Sequence, residues 1–84
     1  MIEKISLNSL KFFYYVAQHG SMTLASQKLF VTQSAVSKQI KNLEDALGLI
    51  LFDRVNKKLI LTSNGSLLFA CCQQVFAKLD DSLI

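Results

Sequence analysis

Three glycines, Gly20, Gly48 and Gly65, and not a single proline punctuate this 84-residue chain, and the stretches between the glycines carry apolar residues at helical spacing. That pattern commits the chain to helices joined by very short connections. The first stretch, about Asn8 to Gln18, sets Leu7, Leu10, Phe13, Tyr14 and Ala17 three and four residues apart on one face. Phe12, Tyr15 and Val16 widen that face, and Gly20 follows as a terminator.

In the next stretch, "SMTLASQKLF", Ser21 or Thr23 can cap a short helix whose body is Leu24 to Leu29, with small Ala25 and Ser26 permitting close approach by a neighbour. "FVT" leaves room only for an abrupt change of direction. Thr32 then caps a longer helix, Gln33 to Leu47, stopped by Gly48. Its inward stripe is Val36, Ile40, Leu43 and Leu47, broadened by Ala35, and its outward positions are Gln33, Ser34, Ser37, Lys38 and Lys41. Two helices joined by about three residues form a helix-turn-helix arrangement.

The period changes in "LFDRV" and "KLILT", two short stretches separated by Asn56 and Lys57, which read as a β-hairpin with a basic tip. Behind it, Ser63 to Ile84 opens on turn-prone "SNG" and becomes helical. Phe69, Cys72, Phe76, Leu79 and Leu83 repeat as a heptad-like seam beside Leu68, Cys71 and Val75. Two apolar stripes on one helix imply packing on its own domain with one and on a second chain with the other, and the seam is assigned to dimerisation. The expected fold is mainly α: a winged helix-turn-helix of three helices plus a two-stranded β wing, followed by a long linker and dimerisation helix. The expected boundaries are 1–65 for the winged unit, with the helix-turn-helix at about 23–42 and the wing at about 51–62, and 66–84 for the linker helix.

A mass of 9.4 kDa suits one small domain, and a hydrophobic content of 51% excludes a disordered tail. The longest uncharged run, Leu59 to Ala77 after Lys58, is interrupted by Thr62, Ser63, Asn64, Gly65, Ser66, Gln73 and Gln74, unlike a membrane span. Glu3 and the polar residues after it do not resemble a signal peptide, so the expected location is the cytoplasm. Adjacent Cys71 and Cys72 point about 100° apart on a helix and are read as free thiols, with an intermolecular disulfide or redox role as the lesser alternative.

The net charge of +3 says little by itself; its placement says more. Lys28, Lys38, Lys41, Arg54, Lys57 and Lys58 occupy the middle of the chain, where the acids are Glu44, Asp45 and Asp53. The outward turns of Gln33 to Lys41 contain no acid, and their side chains suit DNA: Gln33 donates and accepts toward adenine, Ser34 and Ser37 reach bases or phosphates, Lys38 reaches guanine or a phosphate. Ser21 and Thr32 sit at helix N-termini suited to phosphates, and Arg54, Lys57 and Lys58 suit the backbone or minor groove. Alone, the outward face is an ordinary solvated surface; the tight turn before it and the basic hairpin after it make it a reader of double-stranded DNA.

The other candidates are plainer. His19 is read as a surface cap at a helix end, Tyr14 and Tyr15 as core and rim, and Glu44 and Asp45 as partners of a neighbouring base or as solvated. One histidine, no G-x-S-x-G motif and no glycine-rich phosphate loop give no catalytic residues, no metal site and no cofactor. The competing reading is a winged-helix protein-association module without a DNA role, which would more naturally fill the outward face with aromatic or aliphatic anchors.

The text "L..F..VA..GSMT.AS..L.VTQSAVSKQI..LE..LG..LF.R....L.LT..G", from Leu10 to Gly65, resembles the N-terminal domain of LysR-type transcriptional regulators. The wording "LFVTQSAVSKQIKNLEDALGLILF" looks most like the branch that includes glycine-cleavage and β-lactamase regulators. The resemblance implies a winged helix-turn-helix on a linker helix that pairs two chains, binding a pseudo-palindromic operator. By motif position it sets Gln33, Ser34, Ser37 and Lys38 toward the groove, Thr32 and Ser21 near phosphates, and Arg54, Lys57 and Lys58 in the wing. Ser26 departs from the usual second alanine, and Lys38 replaces a common arginine, exchanging a planar fork for a point charge. The family also carries a larger effector-binding domain after the linker. The chain is therefore expected to be the DNA-binding piece, or a truncated product, of a longer regulator, with any small-molecule effector bound elsewhere.

Overall fold

A computed structural model describes residues 5–83, so residues 1–4 of the expected winged unit and Ile84 of the linker lie outside the description. The chain runs α1 (Leu7–His19), α2 (Met22–Leu29), α3 (Gln33–Leu47), β1 (Phe52–Val55), β2 (Lys58–Leu61) and α4 (Ser63–Leu83). The first three helices begin at hydroxyls: Ser6 accepts the N–H of Ser9, Ser21 that of Leu24, and Thr32 that of Ala35. The cap of α2 is thus Ser21, not Thr23. Gly20 and Gly48 end α1 and α3 in the left-handed region, φ 65° and 68°, where a missing Cβ removes the usual penalty.

Apolar stripes decide the packing. Phe12, Phe13 and Val16 of α1, Ala25 of α2, Val36, Ile40 and Leu43 of α3, Leu51 and Cys72 form the buried core. Leu47 and Ala35 are only half-buried, and Leu7 is exposed, so the first-helix stripe is centred on Phe12, Phe13 and Val16. Ser26 is buried as well, and its hydroxyl donates to the Thr23 carbonyl at 2.7 Å, which satisfies the polar group that replaces a second alanine.

The wing is an antiparallel pair in the register Phe52↔Leu61, Asp53↔Ile60, Arg54↔Leu59 and Val55↔Lys58. Asn56 and Lys57 both have positive φ, 52° and 65°, as a two-residue hairpin loop matched to strand twist requires. Phe52 inserts its ring 5.4 Å from that of Phe13, joining the wing to the core.

Helix α4 starts at Ser63, ahead of the expected 65/66 boundary, and "SNG" is its first turn rather than a loop before it. Thr62 makes this possible. Its N–H and hydroxyl donate to the carbonyls of Leu51 at 3.0 Å and Ile50 at 2.6 Å, and its hydroxyl oxygen accepts the Gly65 N–H at 3.0 Å. Gly65 lies where a Cβ would strike the Leu51 carbonyl and come within 2.9 Å of Leu61 Cδ2.

The structure divides the seam expected to face a second chain. Phe69 and Phe76 stack on Tyr14 of α1 with ring centroids 5.6 and 5.1 Å away, and Cys72 is buried in the same layer. These residues cover the chain's own α1, because α4 packs across it. Leu79 remains 43% exposed, and the Leu83 side chain lies outside the description.

Candidate nucleic-acid interface

Fixing α3 fixes what it displays. A chain of side-chain hydrogen bonds runs from the Ser6 hydroxyl to Ser9 at 2.9 Å and from Ser9 to Gln39 Oε1 at 2.7 Å, tying α3 to α1 on the half-buried side. Val36, Ile40 and Leu43 lock the same side into the core. Gln33, Ser34, Ser37, Lys38 and Lys41 are thereby left exposed together on one open surface.

A second open groove lies between the start of α2, the start of α3 and the wing. It is lined by Ser21, Thr23, Gln33, Arg54, Lys57 and Lys58, among others, and includes three cations and no carboxylate. Gln33 borders both surfaces, so the face of α3 and the basic groove are continuous. Ser21 and Thr32 each use an oxygen as a helix cap, at 3.1 Å, which leaves the hydroxyl hydrogen able to donate to an anion. The Thr32 and Ser34 hydroxyls also lie 3.3 Å apart.

The charged residues divide by partner. Lys41 reaches Asp45 at 3.4 Å across an exposed helical turn, a weak tether that a phosphate can displace. Lys38, Arg54, Lys57 and Lys58 make no ion pair among the described residues. Glu44 turns away from the surface and accepts the backbone N–H groups of Leu51 and Phe52, at 2.7 and 3.3 Å, so it holds the wing rather than pairing with a base or sitting in water. His19 closes α1 beside Tyr15, ring centroids 6.2 Å apart.

Two features of the helix-turn-helix escape sequence reasoning. The Thr23 hydroxyl donates to Gln33 Oε1 at 3.1 Å, linking α2 to the first residue of α3. Phe30, 94% exposed, caps α2 at φ 57°, a position that favours glycine or asparagine. An apolar residue directly before "VT" was the available signal for the second; no local pattern signals the first.

Comparison with known proteins agrees with this geometry. Residues 7–66 match the bacterial regulatory helix-turn-helix protein, lysR family. The chain is 49% identical over 76 residues to the glycine cleavage system transcriptional activator of Escherichia coli (strain K12), covering 90% of this chain and 25% of that protein. It is 45% identical over 65 residues to the RuBisCO operon transcriptional regulator of Allochromatium vinosum, covering 77% of this chain and 22% of that protein. The chain therefore spans about a quarter of the length of these relatives. Among solved structures, the BenM DNA-binding domain in complex with catB site 1 DNA superimposes with a TM-score of 0.88 at 29% identity, covering 94% of this chain and 88% of that one. Full-length CbnR in complex with its target DNA gives a TM-score of 0.81 at 28% identity, covering 93% of this chain and 27% of that one. Fold, motif and relatives converge, and the chain belongs to the lysR family of bacterial regulatory helix-turn-helix proteins.

Proposed function

We propose that this chain reads double-stranded DNA sequence-specifically as the DNA-binding part of a bacterial transcriptional regulator, and that it does so as a homodimer on a pseudo-palindromic operator. The observation that carries the reading is the continuity, through Gln33, of the acid-free face of α3 with the basic groove beside the wing. The first turns of α3 enter the major groove, where Gln33, Ser34, Ser37 and Lys38 meet base edges. Arg54, Lys57, Lys58 and Lys41 meet the phosphate backbone, with the Ser21 and Thr32 hydroxyls as neutral donors. Two such helices, held about 34 Å apart by pairing of α4, would read the two half-sites.

Related chains solved with DNA support this assignment, as do curated relatives that are transcriptional regulators rather than enzymes. The proposed location is the cytoplasm, where the DNA is; among the described residues no helix is long and apolar enough to cross a membrane. A small-molecule effector would act through a further domain of a longer regulator. Selection from random duplex oligonucleotides by gel shift tests the function: a recovered motif with two-fold symmetry supports it, and failure to retain any duplex at low salt rejects it.

A further inference from the structure

Among the described residues Gln33 is the one shared by the face of α3 and the basic groove, and its amide is tethered to α2. The Thr23 hydroxyl, projecting from the first turn of α2, donates to Oε1 at 3.1 Å. A glutamine amide carries an acceptor at one end and two donors at the other, and an unrestrained amide can exchange them by a half-turn. A hydroxyl both donates and accepts, so Thr23 can hold either end of that amide; what the contact fixes is where the side chain sits, with the other end left to lead into a groove. Both side chains are exposed in the free chain, so the bond there competes with water. Against DNA the water is displaced and the same bond strengthens, which is when orientation matters.

We propose that Thr23 is a specificity-determining positioning residue: its hydroxyl holds one end of the Gln33 amide against α2, so that the other end meets a single base edge in a fixed place. This assignment rests on the DNA-reading function proposed above. Thr23 need not touch DNA to set the preference, and the short connection between α2 and α3 keeps the two side chains in register.

The test is the base spectrum of the 84-residue chain, obtained by selection and sequencing of bound duplexes for the native protein, Thr23→Val, Thr23→Ser and Gln33→Ala. Thr23→Val keeps the shape and removes the hydroxyl. It should flatten discrimination at one position in each half-site by roughly tenfold, within the range of a good base contact, while the rest of the motif and the salt dependence stay unchanged. Thr23→Ser should keep the native spectrum, and adding Thr23→Val to Gln33→Ala should change nothing further. An unchanged spectrum for Thr23→Val, or a loss spread over all positions, overturns the proposal while leaving DNA reading intact. A native chain that selects no sequence removes the DNA-reading function and this inference with it.

Discussion

The Glu44 carboxylate, on the half-buried side of α3, accepts the backbone N–H of Leu51 at 2.7 Å, and the Phe52 N–H shares the same oxygen at 3.3 Å. Leu51 is fully buried and opens the wing, so the recognition helix and the wing are joined through a charge-assisted bond rather than by packing alone. Glu44→Ala leaves the Leu51 N–H without its partner, at a cost of about 1.5–3 kcal/mol. Glu44→Gln keeps a carbonyl acceptor and should lose less. Urea denaturation checks this: both variants lying within about 0.5 kcal/mol of the native chain, as ordinary surface changes do, would mean the wing is held by other contacts.

The local part of this architecture is legible in the sequence because caps, turns and periodicity are local. Thr32 and Gly48 bracket α3, and Asn56-Lys57 marks the hairpin. Long-range partners are not legible. The seam periodicity of Phe69, Cys72 and Phe76 identifies an apolar face but not that Tyr14 of the same chain occupies it. Gly65 reads as a turn residue, whereas its requirement is the close approach of the Leu51 carbonyl, fourteen positions earlier in the chain at residue 51. In the site, the exposed residues of α3 follow by subtraction from the buried stripe. The Thr23 to Gln33 bond does not, because it depends on the angle between two helices.

Lys38 and the wing lysines should separate in DNA binding. If Lys38 reads a base, Lys38→Ala costs about 1–3 kcal/mol at the cognate site and relaxes discrimination at one position. Lys57→Ala and Lys58→Ala, as phosphate contacts, should weaken binding to all sequences alike, each reducing the slope of log K against log salt by about 0.9. Titrations on cognate and scrambled duplexes at several salt concentrations decide it. A uniform loss for Lys38→Ala would move Lys38 to the phosphate-binding group, and a sequence-selective loss at the wing would do the reverse.

Burial pushes the Cys72 thiol up from 9.0 to about 11, with the neighbouring Cys71 adding to the shift. Between those values an unfolded chain loses the thiol proton while the folded chain keeps it, so stability attributable to this group is complete below about pH 9 and is lost as pH rises through 11. The informative quantity is a difference between two chains. The stability gap between the native chain and Cys72→Val should change across this interval in the direction of native-chain loss, in denaturation series at matched pH. A pH-independent gap would show that Cys72 is not protected from ionisation by the fold.

Outside its contact with α1, α4 exposes Leu67, Cys71 and Val75, with Leu67 at 73%, and Leu79 is 43% exposed beyond Phe76. These residues, unlike Phe69, Cys72 and Phe76, leave apolar surface of α4 open to a second chain. Leu67→Glu with Val75→Glu should shift a dimer to monomer in sedimentation by burying like charges against each other, while leaving the α1–α4 aromatic contacts in place. Phe76→Ala should act on the opposite face, lowering stability by about 2 kcal/mol because the ring is only half-buried. If α4 pairs the chains, thermal stability of the native protein rises with concentration, and that dependence disappears in the double glutamate variant. A native chain that sediments as a monomer at high concentration, with and without DNA, would exclude pairing through this face.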